Sequence, residues 1–197
     1  MRTRIGAYRA KKNRSENGFT LIEALFSMFV MTIGLLALLG VMGVAMASNQ
    51  TSERTAIAKR LANEALEGIL TARETSQVQW SNIANGNCAV GTGCTTGIFL
   101  AGAQPINLPG VDGIVGTSDD AAAGPQILEQ PGPSGVWSGT CPPDTCVSLN
   151  NYTRTITITP YAADANLNSV TITVTYSNPQ LRVPQNYTLA TLVSQYR

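Results

Sequence analysis

The chain has 197 residues, a formal net charge of +1 at pH 7 and no histidine. Without histidine, a Ser-His or Cys-His nucleophile pair and the usual His-ligated zinc site are excluded, so an enzyme is the least favoured class of function. The nearly neutral charge gives no sign of a nucleic-acid surface. The length fits one globular domain plus an N-terminal segment.

A basic leader begins the chain. Residues 1–18 have a net charge of +5, which leaves −4 for the remainder. Positive charge in front of an apolar span stays on the cytoplasmic side, so this leader predicts insertion into the inner membrane. The basic side chains are Arg2, Arg4, Arg9, Lys11, Lys12 and Arg14.

An uncharged stretch follows the leader over residues 24–47. As a helix it would span about 36 Å, more than the ~30 Å hydrocarbon core of a bilayer. We therefore predict a transmembrane helix over residues 19–47. Two alternatives stay open: a plain membrane anchor, and a secretory signal cleaved after Ala45-Met46-Ala47, although an ordinary signal has an apolar region of only about 7 to 15 residues.

Glu23 stands at the start of this apolar stretch. An ionised carboxylate in apolar surroundings is costly unless it is paired. If the chain were cut after Gly18, Phe19 would carry an α-ammonium four residues from Glu23. At an effective dielectric of ~20, such a pair at ~4 Å attracts by roughly 4 kcal/mol before desolvation. The alternative is that the helix dipole alone favours an acid in the first turn.

The motif Gly18-Phe19-Thr20-Leu21-Ile22-Glu23-Ala24, between a basic leader and a long apolar helix, resembles the class III signal of type IV pilin-like proteins. The resemblance implies that a prepilin peptidase cuts between Gly18 and Phe19 and that the new Phe19 amine is methylated. It also implies that Glu23 neutralises the Phe19 amine of a neighbouring subunit in the core of a filament.

Within this family, residues 56–67 and the long loops most resemble minor pilins of the type IV pilus modification V type. The resemblance implies a non-enzymatic subunit that passes once through the inner membrane and then joins a periplasmic or cell-surface filament. Its partners would be other pilin or pseudopilin subunits and the prepilin peptidase and methyltransferase. A major pilin, a minor pseudopilin of type II secretion and a membrane-anchored periplasmic binding or adhesive module stay open as alternatives.

Helical periodicity continues over residues 48–76. Apolar residues share one stripe, which is typical of an amphipathic half-helix that lies on a domain. Residues 48–52 could cap a new helix, so a break in the helix is possible there. The apolar stripe consists of Ile57, Leu61, Ala62, Ala65, Leu66, Ile69 and Leu70.

Residues 77–134 are rich in glycine and proline and predict a variable loop region. Within it, Asp112, Thr117, Asp119 and Asp120 offer hard oxygen ligands among turn-forming glycines that can fold around Ca²⁺, although the spacing is not that of an EF-hand. No cofactor is required. The arrangement resembles calcium loops of some exported proteins and pseudopilins. A solvated acidic turn is the alternative.

The chain has four cysteines, all after the apolar helix. An even number in an exported protein favours two disulfides over a metal site, with three possible connectivities. The spacings favour local pairs, Cys88 with Cys94 and Cys141 with Cys146.

The C-terminal residues 135–197 predict a sheet. Threonine alternates with larger side chains over residues 153–159 and 169–176, which predicts an antiparallel hairpin. Residues 187–196 are a third candidate strand, and residues 136–149 a fourth. We therefore predict an α+β fold, in which a long N-terminal helix packs on an antiparallel sheet of three or four strands, as in the pilin fold. The side chains expected to face the helix are Ile156, Ile158, Val170, Ile172 and Val174.

Overall fold

A computed structural model describes residues 20–90, 96–129, 146–177 and 183–196 of the chain. The chain divides into two compact units, Met1–Met46 and Ala47–Arg197, which are described separately. In chain order the elements are α1 (Leu21–Glu74), a 3₁₀ turn (Trp80–Asn82), β1 (Ala103–Pro105), α2 (Asp120–Ala123), β2 (Ile127–Glu129), β3 (Cys146–Ser148), β4 (Tyr152–Pro160), β5 (Leu167–Ser177) and β6 (Pro184–Ser194).

In the first unit, the described residues are those of the N-terminal part of α1 and Thr20 before it. The carbonyl of Thr20 accepts hydrogen bonds from the N–H groups of Glu23 and Ala24, at 3.0 and 3.1 Å. The large apolar side chains that follow are exposed; Phe26 and Val44, for example, are 70% and 72% exposed. By length and composition α1 is able to cross a membrane. A helix that is apolar on all faces requires apolar surroundings.

The break that the sequence allows over residues 48–52 does not form, because α1 is continuous from Leu21 to Glu74. The hydroxyls of this polar stretch bond back to the helix itself. Thr51 donates to the carbonyl of Ala47 at 3.0 Å, and Thr55 donates to the carbonyl of Thr51 at 2.9 Å. Hydroxyls that are satisfied in this way do not compete with the helical backbone.

In the second unit, α1 packs one face into the core. Its buried residues are Ala58, Leu61, Ala62, Ala65, Ile69 and Ala72. Four of the six are alanines, so this face of the helix presents mostly small side chains to the core. The predicted stripe is confirmed at its centre, whereas Ile57, Leu66 and Leu70 at its margins are only partly buried.

The main sheet has four strands in the order β1-β4-β5-β6. All neighbours are antiparallel, so the predicted α+β architecture is confirmed. The β4–β5 hairpin has the predicted pairing, with Ile156 opposite Ile172 and Ile158 opposite Val170. As predicted, Ile156, Ile158, Val170, Ile172 and Val174 are buried. The alternating threonines lie on the other face, because successive side chains of a strand point to opposite sides.

The fourth strand of the sheet is not the one expected from the sequence. It is β1, which lies within the predicted loop region and pairs with β4 through Thr153, Arg154 and Thr155. The candidate at residues 136–149 contributes β3 instead, which pairs with β2 in a separate two-stranded sheet. Residues 136–145 lie outside the described part of the chain. A strand of only Ala-Gln-Pro carries no alternation by which it could be recognised.

Candidate functional site

The N-terminal candidates are only partly within the described residues. Gly18 and Phe19 lie outside them, so the cleavage and methylation sites stay predictions. Glu23 lies in the first turn of α1, where its side chain is exposed. Across the described ranges the only ion pair joins Arg73 to Glu74, so the Glu23 carboxylate has no partner there.

The four predicted calcium ligands come together in the loop 110–120. One oxygen each from Asp112, Asp119 and Asp120 lie within 4.8 Å of one another. The loop turns through Gly113 and Gly116, which have φ angles of +71° and +92°. Only glycine adopts such angles without strain, so these positions allow the chain to fold back on its carboxylates.

Asp120 closes the loop. It is 7% exposed, and its two oxygens accept hydrogen bonds from the backbone N–H groups of Gly110 and Gly116, at 3.0 and 2.6 Å. Burial raises the pKa of Asp120, against these two hydrogen bonds and the nearby charge of Arg154, which lower it. Both oxygens are already bonded to the backbone, so the first role of Asp120 is to hold the loop together.

Asp119 is bonded within the same loop. Its carboxylate accepts from the Thr117 hydroxyl at 2.6 Å and from the backbone N–H of Asp112 at 3.2 Å. Burial raises the pKa of Asp119, but hydrogen bonds from Thr117 and from backbone N–H groups outweigh burial, so the pKa is lowered. The backbone at Gly110 lies close to Asp119: a Cβ atom on Gly110 would lie 2.2 Å from the Asp119 carboxylate.

Asp112 carries the one unsatisfied oxygen of the cluster. Its Oδ1 accepts from the N–H of Ile114 at 2.8 Å, whereas its Oδ2 is buried and has no hydrogen-bond partner within the described part of the chain. Burial raises the pKa of Asp112, against the N–H of Ile114 and the nearby Thr117 hydroxyl, which lower it; the charges of Asp119 and Asp120 add to the rise. A buried carboxylate oxygen without a partner costs free energy, and a cation with oxygen ligands would remove that cost. The donor set therefore fits Ca²⁺.

A second polar group joins this loop to the core. Arg154 is 2% exposed, and its Nη1 has no hydrogen-bond partner in the described residues. Burial lowers the pKa of Arg154, and the charges of Glu64 on α1 and Asp120 on α2 oppose that change. Glu64 also accepts from Nε2 of Gln126, at 3.2 and 3.3 Å to its two oxygens. The charges of Arg154, Glu64 and Asp120 therefore influence one another across α1, β4 and loop 110–120, the carboxylate loop, without an ion pair between them in the described residues.

This group of charges was not predicted from the sequence. The signal for Arg154 was present in the strand pattern, because residues 154, 156 and 158 have the same parity and the two isoleucines face the core. Alternation therefore placed the arginine inside the domain. Nothing in the sequence placed Glu64 or Asp120 beside it.

The cysteines are partly described. Cys88 and Cys146 are each disulfide-bonded. Cys94 and Cys141 lie outside the described residues, so the pairs 88–94 and 141–146 stay predictions.

Comparison with known proteins gives one match. Residues 13–39 match the family described as the prokaryotic N-terminal methylation motif. The chain carries that motif at its N-terminus. The matched segment contains Gly18, Phe19 and Glu23, the residues singled out from the sequence. No curated protein and no solved structure matches the chain.

Proposed function

We propose that this protein is a structural subunit of a type IV pilus or a related filament, a minor pilin rather than an enzyme. The observation that carries the proposal is the methylation motif over residues 13–39, which includes Glu23 and the start of the exposed apolar part of α1. Such a helix is suited first to a membrane and then to a bundle of like helices. The four-stranded sheet packed on α1 supports the same reading.

The mechanism follows from the charges at the start of α1. Removal of the leader after Gly18 gives Phe19 a positive amine at a helix N-terminus. In an apolar bundle, Glu23 of one subunit and the Phe19 amine of a neighbour neutralise each other, which fixes the axial position of the incoming helix. The apolar side chains of the helices then form the filament core, and the sheet domains form its wall.

The first experiment is to determine the N-terminal residue and intact mass of the full-length protein recovered from cell envelopes. We expect a start at Phe19 with one added methyl group. An uncut Met1 would favour a plain anchor, and a start at Ser48 would identify a secreted soluble domain. Either result would contradict the proposal.

A second experiment tests Glu23 itself. Glu23→Gln keeps the size of the side chain but removes its charge, so we expect normal cleavage and a loss of incorporation into filaments. Glu23→Asp keeps the charge and should retain part of the incorporation. Immunoblots of sheared filaments and of whole envelopes measure how much of the protein is incorporated into filaments. Equal incorporation of Glu23→Gln and the wild type would contradict the proposed pairing.

The proposal also includes the type of filament subunit. We favour a minor pilin of the type IV pilus modification V type on the resemblance of residues 56–67, over a minor pseudopilin of type II secretion. Deletion of the gene in strains that have one filament system at a time separates the two. Loss of pili with intact secretion supports the first assignment, and the reverse result supports the second.

We further propose that the carboxylate loop binds Ca²⁺. Two observations support this: Oδ2 of Asp112 is buried without a hydrogen-bond partner among the described residues, and one oxygen each of Asp112, Asp119 and Asp120 lie within 4.8 Å of one another. Asp112, Thr117, Asp119 and Asp120 would supply the oxygen ligands. A cation there would neutralise three adjacent carboxylates and so stabilise the loop against α1 and β4.

Calorimetry and thermal unfolding of the full-length protein in detergent, with CaCl₂ or MgCl₂, test the calcium proposal. At 100 times its Kd, calcium should stabilise the fold by about 2.7 kcal/mol. Asp119→Ala should abolish both the heat and the stabilisation. Asp164→Ala is the matched control, because Asp164 lies in the exposed β4–β5 turn outside the cluster. A wild-type protein with neither heat nor stabilisation would reduce the loop to a solvated turn.

A further inference from the structure

The two edges of the main sheet differ in how their backbone groups are satisfied. At the β4 edge, β1 pairs with residues 153–155. Beyond β1, the side-chain amide of Asn85 takes the place of a strand: its Nδ2 donates to the carbonyl of Ile156 at 2.8 Å, and its Oδ1 accepts from the N–H of Ile158 at 2.7 Å. On this side β4 is therefore covered by β1 and by Asn85, and the three-residue β1 is the outermost strand.

The opposite edge is β6, whose only strand partner among the described residues is β5. In an antiparallel pair, the residues of a strand point their backbone groups alternately toward the partner and away from it. The N–H of Gln195 donates to the carbonyl of Asn166 at 2.8 Å, in register with the β5–β6 ladder. The odd-numbered residues of β6 are therefore bonded to β5, and the even-numbered residues point outward.

The contacts of Ser194 agree with this assignment. Its carbonyl points outward and accepts a hydrogen bond from Nη1 of Arg73 at 2.9 Å. The other outward groups of β6 have no hydrogen bond to any described residue, and their side chains are exposed. The open donors are the N–H groups of Asn186, Thr188, Ala190, Leu192 and Ser194, and the open acceptors are the carbonyls of Pro184, Asn186, Thr188, Ala190 and Leu192.

This edge also lacks the features that normally keep sheet edges apart. Residues 184–196 contain no charged side chain, and the only proline is Pro184 at the start of the strand. Leu192 is 51% exposed on the outer face, and Tyr187 and Leu189 are only partly buried on the inner face. Long, uncharged edges without lysine or internal proline pair readily with another strand.

We propose that β6 pairs antiparallel with β6 of a second copy of this chain, centred on Leu189. In this register Thr188 faces Ala190 and Asn186 faces Leu192. Pro184 has no N–H, and it faces Ser194, the residue whose carbonyl is already bonded to Arg73. Each open donor of one copy therefore meets an open acceptor of the other.

The side chains are compatible with the same register. On the inner face, Leu189 of one copy meets Leu189 of the other, and Tyr187 meets Thr191. On the outer face the paired residues are small or uncharged. The contact is isologous, because the same strand serves both copies, and it joins two four-stranded sheets into one. The proposal does not depend on the filament function.

Site-specific photo-crosslinking of the full-length protein in detergent tests this register. Thr188→p-benzoylphenylalanine should crosslink two differently tagged copies, and peptide mapping should place the crosslink at residues 189–191 of the second copy. Thr173, the β5 neighbour of Thr188, is the control position on the same face but one strand inward. Crosslinks to a different chain, or to another part of the second copy, would overturn the proposal.

Ala190→Pro tests the backbone pairing itself. The N–H of Ala190 points outward, so proline removes an open donor without removing a bond to β5. Two symmetry-related hydrogen bonds are lost, and we expect about thirtyfold less crosslinked dimer. Ala190→Ser keeps the N–H and should behave as the wild type. Ala190→Lys keeps the N–H but adds charge to the edge, so it should also weaken the dimer; unchanged dimer in both the proline and lysine variants would overturn the proposal.

Discussion

Replacing Asp120 with asparagine is expected to loosen the carboxylate loop and destabilise the globular unit by about 2–4 kcal/mol. Asparagine has a single acceptor oxygen, so one of the N–H groups of Gly110 and Gly116 is left without a partner, at a cost of about 1–3 kcal/mol. The remaining bond loses its charge, and Arg154 loses one of its two neighbouring carboxylates. Arg154 and Asp120 are not among the ion pairs of the described residues, so this loss should add less than the cost of breaking a buried pair outright, about 3–5 kcal/mol.

Chemical unfolding of the full-length protein in detergent, followed by near-UV circular dichroism in the presence of a chelator, measures this cost without a contribution from bound metal. Asp119→Asn is the matched control: Asp119 is more exposed and bonds to Thr117 and Asp112, so we expect about 1 kcal/mol. Arg154→Met in the Asp120→Asn background should restore part of the stability by removing the uncompensated charge. Equal losses for both asparagine variants, or no effect of Arg154→Met, would refute the reasoning.

Two further predictions concern the packing around β4. Gly116→Ala should cost about 2–4 kcal/mol, since its φ is +92° and the new Cβ would lie 2.5 Å from Cδ1 of Ile156. Gly113→Ala, where no atom lies within 4 Å, is the control for backbone strain alone and should cost only about 1–2 kcal/mol; equal unfolding free energies would refute the role of the clash. Asn85→Ala should cost about 2–3 kcal/mol, because it leaves the carbonyl of Ile156 and the N–H of Ile158 unbonded. Faster amide exchange at Ile158 in this variant would check the mechanism, and unchanged exchange would contradict it.

Much of the fold follows from patterns that are local in the sequence. The threonine alternation over residues 153–159 and 169–176 placed the hairpin and its buried face, because a half-buried strand requires that period. The stripe centred on Leu61 and Ile69 likewise placed the face of α1 that packs into the core. β1 was missed because three residues cannot show a period, and its pairing with β4 is a long-range contact.

The carboxylate loop shows what composition can and cannot predict. Three acids among glycines were enough to predict that Asp112, Asp119 and Asp120 cluster. Their different roles depend on burial and on backbone bonds from residues such as Gly116, which composition does not reveal. Arg154 is an intermediate case, since the strand period placed it inside the domain but its two acidic neighbours come from distant segments.

Two features of the chain are hard to reconcile with a protein that acts alone. The apolar side chains that follow Glu23 are exposed, and the outward backbone groups of β6 are unbonded within the described residues. Water satisfies an open sheet edge at little cost, but it does not compensate a helix that is apolar on all faces. The helix therefore requires a membrane or other helices, whereas the edge only permits a partner. For this reason the Glu23 variants should decide whether the protein enters a filament, and the Ala190 variants should change only how its globular units associate.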